Sequence, residues 1–210
     1  MRPPTLTHDE DGGLRLAHLA PWFVSAILEL PDLLDPDQSD EVKRRLYPEP
    51  SEDPAQSDEW KKYVHPDLFA LLASAREIVC KDLEALRRMD DAFPLALWEL
   101  SIPDDHVNAW ISGLNAGRLT LATRHGIDEE AMDRTSFLMV EDPDDVDDAS
   151  EEESSDDHVT RLRALLDAWE ERRIVLQKID LLGGLQEMII EDRHPPPVGP
   201  QIPDSLPDDF

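Results

Sequence analysis

The sequence predicts a mainly α protein, a single-domain helical bundle that carries a small two-stranded β element. Three observations lead there. Apolar residues recur at three-to-four-residue spacing in several separate stretches. Most of these stretches open on a proline or a capping residue. Only two short segments, near residues 14–19 and 94–102, have the alternation or compact apolar run of a strand.

The first strand candidate is Leu14-Arg15-Leu16-Ala17-His18-Leu19, opened by Gly12-Gly13. Pro21 suits a first helical turn, and Trp22, Phe23, Ala26, Ile27 and Leu30 follow at helical spacing until Pro31 stops them. Pro48, Pro50 and Pro54 interrupt the next region, where Asp53-Pro54-Ala55-Gln56 has the form of a capped helix start. His65-Pro66-Asp67 opens the clearest helix, expected to run to about Met89. Its stripe is Leu68, Leu72, Ala75, Val79, Leu83 and Leu86, with Arg76, Lys81, Glu84, Arg87 and Arg88 on the polar side.

Pro94 to Ile102 forms the second strand candidate, a natural partner for Leu14–Leu19, and helices are expected to cover at least one face of the pair. Ser101-Ile102-Pro103-Asp104 then signals a helix over about Pro103 to His125, with an apolar arc of Val107, Trp110, Ile111, Leu114 and Leu121 and a stop at Gly126. A last helix is expected from His158, with a stripe of Leu162, Leu165, Leu166, Trp169, Leu176 and Ile179 that continues through Leu181-Leu182. Gly183-Gly184 should weaken or bend it.

Two segments stand outside this pattern. Residues 141–157 contain eleven acids and no Lys or Arg, a composition that cannot bury enough apolar surface to order itself, and are read as a disordered loop. Residues 194–210 carry six prolines and read as an extended tail. One helical domain is therefore expected over 1–140 and 158–193.

Composition excludes several classes of function. The 210 residues are 40% hydrophobic and include five Trp, enough apolar mass for a packed core, while the net charge of -28 opposes binding to phosphate backbones and anionic lipid. No apolar run is long enough for a membrane span or a signal core, so a cytoplasmic protein with no nucleic-acid or membrane partner is expected. Cys80 is the single cysteine, which rules out an intramolecular disulfide and multi-cysteine metal sites and reads as a small buried hydrophobe.

Catalytic spacing is missing. There is no His-Glu-x-x-His, phosphate-binding glycine loop, Gly-x-Ser-x-Gly or dinucleotide fingerprint, so no catalytic, cofactor or metal site is expected. His65, His106 and His158 fall at helix beginnings and read as surface residues, and His125 falls at a helix end. Paired acids such as Asp104-Asp105 and Glu170-Glu171 read as solvated faces. One residue departs from its surroundings. Arg118 lies within about 60° of Val107, Leu114 and Leu121 on a helical wheel, so its guanidinium is expected to be largely buried and paired, with Glu77, Glu99 and Glu187 as candidate carboxylates.

Two motifs carry a family resemblance. The stretch Trp110-Ile111-Ser112-Gly113-Leu114-Asn115-Ala116-Gly117-Arg118-Leu119, continuing to Gly126-Ile127, resembles an uncharacterised bacterial family named domain of unknown function two thousand and seventeen. Leu181-Leu182-Gly183-Gly184-Leu185-Gln186-Glu187 is similar to the closing element of that family. The resemblance implies a shared helical fold without assigned catalytic residues. It also implies gene neighbourhood with the adaptor of the Clp protease in actinobacteria, and a transcription-regulator label on some members.

Trp110, Asn115, Arg118, Gln186 and Glu187 are accordingly the candidate structural or interaction cluster. The expected function is a noncatalytic protein-interaction or regulatory module with a protein partner. The alternatives are an enzyme using an Arg118/Asn115 polar cluster and an acidic transcription-associated regulator.

Overall fold

The computed structural model describes residues 3–50, 53–89, 96–127 and 155–194. Among them the order is β1 (Thr5–His8), β2 (Leu14–Leu19), α1 (Pro21–Leu28), α2 (Leu30–Leu33), α3 (Asp40–Leu46), α4 (Pro54–Tyr63) and α5 (His65–Leu83). Then come β3 (Arg87–Arg88), β4 (Trp98–Ile102), a 3-10 turn (Asp104–His106), α6 (Val107–Arg124) and α7 (Ser155–Arg193). The protein is mainly α with a small antiparallel sheet.

The sheet is larger than the two strands expected. Its order is β1-β2-β4-β3, all antiparallel. The pairing of Leu14–Leu19 with the second candidate strand is as anticipated. β1 and β3 escape sequence reading because Thr5–His8 and Arg87–Arg88 are short, polar edge segments that acquire strand geometry from their neighbours. The same pairing ends α5 at Leu83 rather than near Met89, since Arg87 and Arg88 are drawn into register with Glu99 and Trp98.

A bulge in β2 fixes which residues reach the core. Leu14 pairs with Ile102 and Leu16 with Leu100, but Leu19 pairs with Trp98, so Ala17 and His18 together oppose Glu99. His18 takes φ 60°, a left-handed backbone that histidine adopts at some cost, and its ring nitrogen Nδ1 lies 3.1 Å from Thr5 Oγ1. In a regular strand Leu19 would face away from Leu14 and Leu16; the extra residue turns it to their side, and all three are 0% exposed.

The helices start and stop for local reasons. Ser39 Oγ caps α3 through the Val42 N–H, Asp53 Oδ1 caps α4 through the Ala55 N–H, and α1, α4 and α5 each carry a proline in the first turn. α6 closes with Gly126 at φ 60°, with Gly126 N–H donating to Thr123 O and Ile127 N–H to Ala122 O at 2.8 Å. That double bond pattern satisfies two terminal carbonyls and folds Ile127 back into the core.

α6 is the central element. Trp110 and Leu114 are 0% exposed and meet the sheet, α1, α2, α5 and α7 in one apolar cluster. Gly117 permits the close approach of α2, because a Cβ there would stand 2.7 Å from Leu30 Cδ2. Among the described side chains of α7, those that enter this cluster belong to its C-terminal half: Val175, Ile179, Leu182, Leu185 and Ile189.

The last helix departs from expectation at its start and along its apolar stripe. It is continuous through Gly183-Gly184. It begins at Ser155, so residues 155–157 of the acidic run open the helix, whereas 141–154 lie outside the described residues, as does the tail from residue 195. Its apolar stripe reaches the core through Ile179 and Leu182, whereas Leu166 nearer its start is 49% exposed. At 100° per residue, Leu166 and buried Leu182 stand about 160° apart, so the two halves present their apolar residues on different sides.

Candidate functional site

Of the expected cluster, the structure brings together Arg118 and Gln186 and leaves Asn115 and Glu187 exposed. Arg118 reaches from α6 across to α7, where its Nη1 donates to Gln186 Oε1 at 3.3 Å. Gln186 Nε2 in turn donates to the carbonyl of Ile111 at 3.4 Å, returning the link to α6. Arg118 is half-buried, and its Nε is buried without a hydrogen-bond partner. A Cβ on Gly183 would sit 3.1 Å from Arg118 Cζ, so this glycine gives the guanidinium its bed on α7.

The carboxylate partner expected for Arg118 is replaced by an amide. Glu77 and Glu187 are exposed, and Glu99 is engaged elsewhere. Arg118 does act on one acid of α7, Asp180, one helical turn before Gly183: burial raises its carboxyl above the ordinary value while the charge of Arg118 pulls it down. A long arginine lying across a glycine reaches an amide at its tip without the desolvation that a buried ion pair entails.

Trp110 belongs to a different polar group. Asp82 on α5, only 5% exposed, accepts from Trp110 Nε1–H at 2.8 Å and lies 2.9 Å from His106 Nδ1. His106 at the start of α6 is thus largely enclosed rather than a surface histidine, because the carboxylate beneath it holds its ring. Asp82 was legible only as an anomaly: three residues after Val79 and four before Leu86, it occupies the apolar face of an otherwise regular amphipathic helix. Such a carboxylate, fixing one nitrogen of a histidine, is the geometry that orients an imidazole.

On the outer face of the sheet, Glu99 is held between two arginines. Arg87 lies directly across from it on β3 and bonds Oε1; Arg15 on β2 reaches Oε2 through Nη2, with its Nε 2.9 Å away. Burial alone would raise the Glu99 carboxyl, but the hydrogen bonds and charges of Arg15 and Arg87 outweigh it and hold it below the ordinary value.

Two open clefts lie outside these groups. One, about 360 Å³, runs between α2, the end of α6 and α7, and its charges are engaged: Lys178 with Glu29 at 2.5 Å and Arg124 with Gln38 Oε1 at 2.7 Å. The other, about 500 Å³, lies between α3 and α4 and includes Lys43, Arg44, Tyr47, Trp60, Lys61 and His65. Among the described residues no group of three or more His, Cys, Asp or Glu side chains is placed to hold a metal ion, and no helix is long and apolar enough to cross a membrane.

These features define a mainly α protein whose central helix ties a small sheet to a long terminal helix. The chain belongs to the family described as Domain of unknown function (DUF2017), whose model matches residues 6–191. That span contains both motifs, around Trp110 and around Gly183, and so the Arg118–Gln186 link between them. No curated protein and no solved structure matches the chain.

Proposed function

We propose that this protein is a noncatalytic, cytoplasmic interaction or regulatory module, and that the N-terminal half of α7 docks an amphipathic helix of a protein partner. The observation that carries this reading is the division of α7. Its C-terminal half is buried through Val175, Ile179, Leu182, Leu185 and Ile189, whereas Leu166 and Ile174 are 49% and 47% exposed. Arg163, Asp167, Glu170, Glu171, Arg172 and Arg173 flank them, exposed charges of both signs that suit the rim around an apolar stripe.

The test is capture from the native cytoplasm with the full chain and with a Leu166→Glu/Ile174→Glu variant. The expected result is a stoichiometric partner held by the wild type, lost by the variant, and displaced by a synthetic amphipathic helix taken from that partner. Sedimentation of the purified chain should show a monomer. A concentration-dependent dimer abolished by the same variant would replace the partner with a second copy. A partner retained by the variant, or a reproducible turnover activity without stoichiometric capture, would overturn the reading.

A further inference from the structure

The sharpest departure from the acidic character of this protein is the cleft between α3 and α4. Against a net charge of -28, it is lined by Lys43, Arg44 and Lys61 with only Asp40 and Glu49 as acids. Lys61 is committed to Glu49 at 2.8 Å. Lys43 and Arg44 form no ion pair among the described residues, although acids are more than twice as numerous as bases in the chain.

The remaining wall is aromatic. Tyr47, at the end of α3, packs against His65 with ring centroids 4.9 Å apart and against Phe69 at 6.2 Å. Trp60 on α4 completes it, and its indole Nε1–H is buried without a hydrogen-bond partner. Flat rings and unpaired cations around a space of about 500 Å³ match the needs of a small ligand with a planar ring at one end and a compact anion at the other.

We propose that the α3–α4 cleft binds a small anionic ligand of the nucleoside monophosphate class. Lys43 and Arg44 take the phosphate, and the Tyr47–His65 wall takes the base. This is consistent with exclusion of nucleic acid: a single dianion fits between two local cations, whereas a polymer would meet the charge of the whole surface. The inference uses residues separate from those of α7 and stands independently of the docking surface.

Isothermal titration of the full chain with adenosine 5′-monophosphate tests it, with adenosine and inorganic phosphate as separate titrants. Saturable 1:1 binding is expected for the nucleotide, at least about tenfold tighter than for either half, a difference of about 1.4 kcal/mol. Lys43→Ala/Arg44→Ala should weaken it about tenfold or more with an unchanged far-ultraviolet spectrum, since Arg44 is exposed and Lys43 only partly buried. No saturable binding at millimolar nucleotide, or binding indifferent to the Lys43/Arg44 substitutions, overturns the site. Phosphate binding as tightly as the nucleotide overturns the assignment of the ring.

Discussion

Trp110 Nε1–H on α6 donates to Asp82 Oδ2 on α5 at 2.8 Å, and both residues are buried, so the largest fully buried side chain also satisfies a buried carboxylate. Trp110→Phe keeps most of the bulk and removes the donor. Its expected cost is about 1–3 kcal/mol, the penalty of an under-bonded buried acceptor. Trp110→Ala adds the cavity and should cost about 3–5 kcal/mol. Urea denaturation of the two variants separates the terms, and a Phe variant as stable as the wild type would show that the bond contributes nothing.

The Arg15–Glu99–Arg87 group makes stability depend on acid. The folded state holds Glu99 below its ordinary value of 4.5, so its contribution is complete above that pH and is lost as pH falls from there through the lower folded value. Glu99→Gln should lower the denaturation midpoint at pH 7 and reduce the further loss seen between neutral pH and about pH 3. Parallel acid limbs for the two proteins would show that Glu99 is not responsible.

Asp180 has the opposite sign. Burial raises its carboxyl above 3.8, against the pull of Arg118, so folding favours the protonated form; that contribution is present below 3.8 and is lost as pH rises through the folded value. Asp180→Asn should therefore raise the melting temperature at pH 7, with the gain shrinking as the pH approaches the acid range. A lower melting temperature at pH 7 would mean that attraction to Arg118 outweighs burial.

Gly183 and Arg118 should be coupled. In a helix, Gly→Ala ordinarily gains up to about 1 kcal/mol, but at position 183 the new Cβ would stand 3.1 Å from Arg118 Cζ and Nε. Gly183→Ala is expected to be neutral or destabilising in the wild type and stabilising by about 1 kcal/mol in an Arg118→Ala background. Arg118→Met alone should cost less than about 1.5 kcal/mol, since the partner it abandons is a neutral amide. A double-mutant cycle with no coupling would detach the arginine from its bed on α7.

Much of the backbone course was legible in the sequence because its signals are local. Pro66 and Asp67 mark the start of α5, Gly126 marks the end of α6, and the arc through Val107, Trp110, Leu114 and Leu121 identifies the buried face of α6. The strand pair β2–β4 was likewise readable from two compact apolar segments. The joint presence of the motifs around Trp110 and Gly183 pointed to the family that the chain belongs to.

Partner choice was a different matter, since it depends on which surfaces meet. Arg118 as an odd charge on an apolar face was visible, but its amide partner, 68 residues away, was fixed only when α7 packed on α6. Asp82 stands out in sequence only as an acid on an apolar face and His106 as a helix-start histidine, and only the approach of α5 to the start of α6 makes them a pair. Leu19 reaches the core through a bulge that its alternation with Leu14 and Leu16 does not announce. The apolar periodicity of α7 runs past the end of the core, because spacing records which residues share a helix face while the body of the protein determines how far along the helix that face is covered.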